Sequence, residues 1–108
     1  MNLPTEVFDD VVVVHAPEEL ASDQRASFAA CVCGLDRTRV VIDLDNTETL
    51  DSKGLEAILE IQDRLHGAGG GVRLAATNPV NRKIFEITRL DRQIEMFDSV
   101  VDAVRSFR

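Results

Sequence analysis

Short β-branched runs alternate along the chain with longer stretches whose apolar residues recur every three or four positions. Val11-Val12-Val13-Val14 is continuously apolar, the pattern of a strand buried on both faces. Val7-Phe8, set off by Asp9-Asp10, predicts a strand before it. Pro17-Glu18-Glu19 predicts a helix start, because proline suits the first turn and acids suit its positive end. That helix carries Leu20, Phe28, Val32 and Leu35 near one face, with Gly34 as its stop. Arg39 to Leu44 reads as a second core strand, and Ser52 to about His66 as the clearest helix. The latter presents Leu55, Ile58, Leu59, Ile61 and Leu65 at helical spacing. Gly67-Ala68-Gly69-Gly70-Gly71 ends it, and Val72 to Ala76 follows as a strand. Asn78 and Pro79 predict the cap and first position of a third helix, with Val80, Ile84 and Ile87 facing inward. Gln93 to Phe97 is a last short strand. Asp98-Ser99 caps a closing helix whose Val100, Val101, Val104 and Phe107 face inward.

The predicted order is β(β)αβαβαβα, and residues 1–108 are read as one α/β domain. Strands separated by helices require a mainly parallel central sheet with right-handed crossovers. At 108 residues such a domain buries enough apolar surface to fold unaided.

Composition narrows the function classes. Hydrophobic residues make up 44%, ordinary for a globular core. The formal net charge of -7, with no Lys/Arg cluster, argues against nucleic-acid binding and against docking on an anionic membrane. No apolar run approaches the roughly 20 residues of a membrane span. The opening Met1-Asn2-Leu3-Pro4-Thr5-Glu6 lacks the basic and apolar segments of a signal peptide, so the cytoplasm is the expected compartment. Cys31 and Cys33 read as reduced packing cysteines, since a disulfide between positions so close is strained and two thiols do not complete a zinc site. His15 ends a strand and His66 lies in a last helical turn, where a partly charged imidazole is favourable. Neither has metal-ligand company, and no metal or cofactor is expected. Asn81, Arg82 and Lys83 read as a small polar-basic patch on a solvated helix face.

Candidate chemistry concentrates in Val40 to Leu55, VVIDLDNTETLDSKGL. It runs strand, polar loop, helix start, and in parallel sheets sites collect beyond the carboxyl ends of strands. Asp43-Leu44-Asp45-Asn46-Thr47 resembles the opening motif of haloacid-dehalogenase-type phosphatases, in which the first Asp is nucleophile and the second acid/base beside magnesium. That chemistry also needs a phosphate-holding lysine and further carboxylates at a later strand end. The lysines here are Lys53 and Lys83, and Thr77-Asn78-Pro79 follows the later strand without an acid. An enzyme is therefore not expected, and no catalytic residue is assigned.

Leu50-Asp51-Ser52-Lys53-Gly54-Leu55 resembles the D-S-x-G-L motif of STAS domains, the sulfate-transporter and anti-sigma-factor-antagonist family. The VVIDL strand before it and the Gly-rich turn and Val72-Arg73-Leu74-Ala75 after it fall in that family's order. So do Thr88-Arg89-Leu90-Asp91 and Phe97-Asp98-Ser99, and the resemblance spans about Val11 to Phe107. It implies a protein-binding switch that controls transcription. In bacterial antagonists of this family the serine after the Asp is phosphorylated by a partner that is both anti-sigma factor and serine kinase, and a phosphatase resets it. By position the phosphoacceptor is Ser52, and the implied partner surface includes Asn46, Glu48, Asp51, Ser52, Lys53, Gly54 and Asn78. The physics suits that role, since a helix N-terminus tolerates an anion while Asp43, Asp45, Glu48 and Asp51 repel one. Within the same family, the alternative is an unphosphorylated structural subunit, such as the STAS component of a lipid-transport complex. Asp51 and Ser52 as a plain helix cap is the reading that invokes no switch.

Three positions depart from the family pattern. Lys53 stands where Ser or Thr is usual, and Arg89 where Gly is frequent, at a helix end with a backbone cost. Ala16-Pro17-Glu18-Glu19-Leu20 lacks the Gly often found after the second strand.

Overall fold

The computed structural model describes residues 2–21 and 24–107. Five strands form the central sheet: β1 (Thr5–Phe8), β2 (Val11–His15), β4 (Arg39–Asp43), β6 (Gly71–Ala75) and β7 (Met96–Phe97). Their spatial order is β1-β2-β4-β6-β7. Only the β1–β2 hairpin is antiparallel; the other pairings are parallel, as connections through helices require. Four helices complete the layers: α1 (Arg25–Cys33), α2 (Ser52–Gly67), α3 (Pro79–Ile87) and α4 (Val100–Arg105).

Strand alternation divides the core in two. Val12, Val14, Val40, Ile42, Val72 and Leu74 point to one face, where they meet Phe28, Ile58, Ile61 and Phe85 from the helices. Val11, Val13, Val41 and Ala75 point to the other, beneath Ala103 and Val104 of α4. Burial of both faces explains why these strands read as unbroken apolar runs.

The chain between β2 and α1 departs from expectation. Pro17-Glu18-Glu19 opens no helix; Glu19–Leu20 is a short strand, β3, paired in parallel with β5 (Thr49–Leu50). The helix begins at Arg25, after Gln24 at its cap, so Leu20 reaches the core from a strand. The backbone there is claimed by another partner. Thr47 Oγ1 donates to the Pro17 carbonyl at 2.8 Å, and the Glu48 N–H donates to that of Glu18 at 2.7 Å. Ser22 and Asp23, within the predicted helix, lie outside the described residues.

The inward faces of two helices also differ. In α3, Val80 is 65% and Ile87 70% exposed, while Asn81 and Phe85 are buried. Asn81 is not on a solvated face: its Nδ2 donates to the carbonyls of Leu44 (3.2 Å) and Thr47 (2.9 Å). In α4, Val101 is 57% exposed, whereas Val104 is buried. Each of these helices contains more apolar positions than its packed face accommodates, so hydrophobicity alone misplaced the phase. The last strand is Met96–Phe97 alone, because Leu90–Arg92 forms a 3₁₀ turn ahead of it.

Caps stand where the sequence places them. Asp51, Asn78 and Ser99 each accept a backbone N–H at the start of α2, α3 and α4. Gly34 follows α1 in a right-handed conformation, and the left-handed residue of that turn is Asp36 (φ 56°). Arg89, just past α3, is left-handed at φ 62°, a conformation that costs a non-glycine residue. Arg89→Gly is expected to raise unfolding free energy by about 1 kcal/mol in urea titration. A loss of stability would instead give the exposed side chain a structural role.

Candidate functional site

The site grows from the carboxyl ends of β2, β4 and β6. β4 delivers Asp43, whose neighbours in register are His15 on β2 and Ala75 on β6. The loop after β4 is braced on three sides. Asp45 Oδ1 accepts from the N–H (2.6 Å) and hydroxyl (3.0 Å) of Thr77, tying it to the loop that leads into α3. Buried Thr47 ties it to Pro17, and Asn81 clamps its carbonyls from below. The pairing of β3 with β5 then sets the start of α2 against Leu20.

Gly54 is fixed by that contact. A Cβ on it would lie 2.2 Å from the Leu20 carbonyl oxygen and 3.0 Å from Leu50 Cδ1. Only glycine lets α2 begin this close to β3. Asp51 caps the helix, its Oδ1 accepting from the Gly54 N–H at 2.9 Å. Ser52 is the first residue of the 16-residue helix and is exposed, with no side-chain hydrogen bond among the described residues. Lys53 pairs with Glu56 at 3.3 Å, and Glu56 also receives Arg25 at 3.1 Å.

The other predicted site residues fall around this loop. Asn46 and Glu48 are exposed on it, and Asn78 is half-buried, its side chain capping α3. Asp43 is engaged by protein groups on both oxygens. Its Oδ1 accepts from the Asp45 N–H at 3.0 Å, and its Oδ2 meets His15 Nδ1 at 2.8 Å. With Asp45 held by Thr77, both carboxylates of the phosphatase reading are occupied by protein donors. Among the described residues no group of three or more His, Cys, Asp or Glu side chains is arranged to hold a metal ion.

Sequence reading missed the partners of His15, which sit on strands that only the fold makes neighbours. Its Nε2 lies 2.7 Å from Glu6 Oε1 on β1, opposite the Asp43 contact. Two acceptor carboxylates on one ring are both satisfied only by the doubly protonated imidazolium. The hydrogen bond to Glu6 raises the His15 pKa above its ordinary value; partial burial opposes this, and Asp43 adds to it. A pKa raised on folding contributes stability that is fully present below the unfolded value of about 6.5 and is lost as pH rises through the folded value. Unfolding free energy is thus expected to fall above neutrality in the native chain, and less so in His15→Asn. A ring titration midpoint at or below 6.5 by NMR would refute this.

Sequence reading gave Thr47 no structural role and set Asn81 on a solvated face, yet both are buried. Each is a polar side chain in an apolar setting, and no periodicity marks such a position.

The chain belongs to the STAS domain family, whose model matches residues 2–103. Its homologues include proteins named as anti-sigma factor antagonists. The chain is similar to protein TM1081 of Thermotoga maritima, at 25% identity over 96% of this chain and 92% of that one, with a TM-score of 0.86. An anti-sigma factor antagonist from Mycobacterium paratuberculosis is 24% identical, with a TM-score of 0.86 over 97% of this chain and 92% of that one. The antagonist SpoIIAA is 20% identical; its unphosphorylated form has a TM-score of 0.71 over 97% of each chain. Its phosphorylated Bacillus form has a TM-score of 0.67 over 99% of this chain and 100% of that one. Likeness at these last identities is a likeness of fold. No helix among the described residues is long and apolar enough to cross a membrane.

Proposed function

We propose that this chain is an anti-sigma-factor antagonist: a cytoplasmic binding switch that controls transcription and is set by phosphorylation of Ser52. Unmodified, it binds an anti-sigma factor that is also a serine kinase; phosphorylated, it releases that partner until a serine phosphatase resets it. The surface that binds comprises Asn46, Glu48, Asp51, Ser52, Lys53, Gly54 and Asn78. The observation that carries this reading is the exposed Ser52 at the first position of α2, directly after the Asp51 cap.

The chemistry follows from that position. The Ser52 hydroxyl is accessible to a kinase, and Asp51, not Ser52, caps the helix. A phosphate there adds about -1.5 to -2 charges at the positive end of a helix dipole, which tolerates it. The fold persists while an already acidic surface gains further negative charge. Lys53 sits beside the phosphoacceptor, and its salt bridge to Glu56 offsets the unfavourable placement of a cation in a first turn.

Intact-mass and phosphopeptide analysis of the protein from its own cells, in growth and under stress, tests the reading. Phosphate on Ser52 whose occupancy changes with condition is the expected result. Its absence under every condition would retire the switch and favour a structural subunit that never titrates its serine.

A further inference from the structure

We propose that Arg39 and Arg73 hold a small oxyanion, a phosphate or sulfate group, at the end of the sheet remote from Ser52. A pocket of about 230 Å³ opens there, lined by Arg39, Gly69, Gly70, Arg73, Ser106 and Phe107. Arg73 is the anomaly that points to it. It sits mid-way along β6, between β4 and β7, in a strand otherwise made of Gly71, Val72, Leu74 and Ala75. Its partner in register, Val41, belongs to the apolar cluster beneath α4.

The guanidinium is held in place without being neutralised. It lies over the Phe107 ring, 4.3 Å from the centroid. Its Nε donates to Ser106 Oγ at 3.1 Å and its Nη1 to the Val72 carbonyl at 3.4 Å. Both acceptors are neutral, and no described carboxylate forms an ion pair with it. A guanidinium offers five N–H donors, and most of these have no described protein partner. Arg39 adds a second positive charge on the same pocket, fixed by the Phe107 carbonyl at 3.4 Å and by Asp10 at 3.1 Å. Among the described residues, two cations therefore face one exposed carboxylate, in a chain whose net charge is -7. A half-buried cation without a counter-ion is unfavourable, and an anion between two planar forks removes that deficit.

One wall of the pocket is set by close backbone packing of Gly70 against Thr38. A Cβ on Gly70 would lie 1.8 Å from the Thr38 carbonyl oxygen, so no side chain can stand there. The volume is below the roughly 300–1,000 Å³ of sites for drug-sized ligands, which suits a free anion or a small monoester rather than a nucleotide. The site shares no residue with the Ser52 surface, so the two proposals stand or fall separately.

Titration of the isotopically labelled full chain with sodium phosphate, at ionic strength held constant with chloride, tests the site by NMR. The expected result is a saturable shift confined to the Arg73 Nε–H and the Gly69, Gly70 and Ser106 amides, competed by sulfate and not reproduced by acetate. Arg73→Gln and, separately, Arg39→Gln should each weaken binding about tenfold or more. Arg39 opens its strand whereas Arg73 stands mid-strand, so the Arg39 variant keeps the test valid if Arg73→Gln does not fold. Ethyl phosphate in the same titration identifies the source: tighter binding than inorganic phosphate assigns the site to an ester, weaker binding to the free anion. A linear shift spread over the surface, an unchanged curve in both variants, or equal binding of acetate would overturn the proposal.

Discussion

Gly54→Ala is expected to lower unfolding free energy by about 3 kcal/mol, the upper end of what overpacking costs. For a domain of this size that is a fall in Tm on the order of 10 °C or more. The cause is specific: the new methyl would stand 2.2 Å from the Leu20 carbonyl oxygen, and that carbonyl belongs to backbone already paired across β3 and β5. Neither side can yield without parting the small sheet that seats the start of α2. The effect should therefore reach function, displacing Ser52 along with the helix end. Gly67→Ala is the matched control. Gly67 also lies in α2, but a Cβ there meets nothing within 4 Å. Alanine at that position should be neutral or stabilising by about 0.4–1 kcal/mol. Equal effects of the two substitutions, read from urea midpoints, would show that helix propensity and not the Leu20 contact governs Gly54.

Ser52 phosphorylation is expected to weaken partner binding by about a hundredfold or more. A partner surface packed over Ser52 has to desolvate a dianion, at several kcal/mol, and each 1.4 kcal/mol is a factor of ten. The helix dipole returns only about 0.3–1 kcal/mol at an exposed end. Exposed Asp45 and Glu48 on the preceding loop oppose a second anion rather than stabilise it. Ser52→Asp should show a smaller loss in the same direction, about tenfold. Ser52→Ala should bind as the native chain does and change stability by no more than about 0.5 kcal/mol, because the Ser52 side chain makes no described hydrogen bond. Calorimetry with the partner captured from source cells reads all three. Wild-type affinity in Ser52→Asp would remove the electrostatic switch from the account.

Most of the architecture was legible because its signals are local. Val11–Val14 and Val40–Ile42 show double-faced burial in their composition, and α2 shows its buried stripe in its spacing. Asp51, Asn78 and Ser99 announced helix starts because a cap is made within three residues. The motif around Ser52 was legible for the same reason: it is a contiguous strand-end, cap and first turn.

What the sequence determined by itself, then, was the order of the four helices and five central-sheet strands and the position of Ser52 at a helix start. Only tertiary structure decided the rest, because each missed feature depends on a partner distant in the chain. Pro17 to Leu20 lost its helix to backbone pairing with Thr47 to Leu50, some thirty residues on. Asn81 turned inward because the Leu44 and Thr47 carbonyls needed donors, which left Val80 and Ile87 outside. His15 acquired its two carboxylates, and Arg73 its place over Phe107, only when strands and α4 came together. Propensity and periodicity report what a segment prefers alone; a buried hydrogen bond is decided by whichever group the completed fold places within reach.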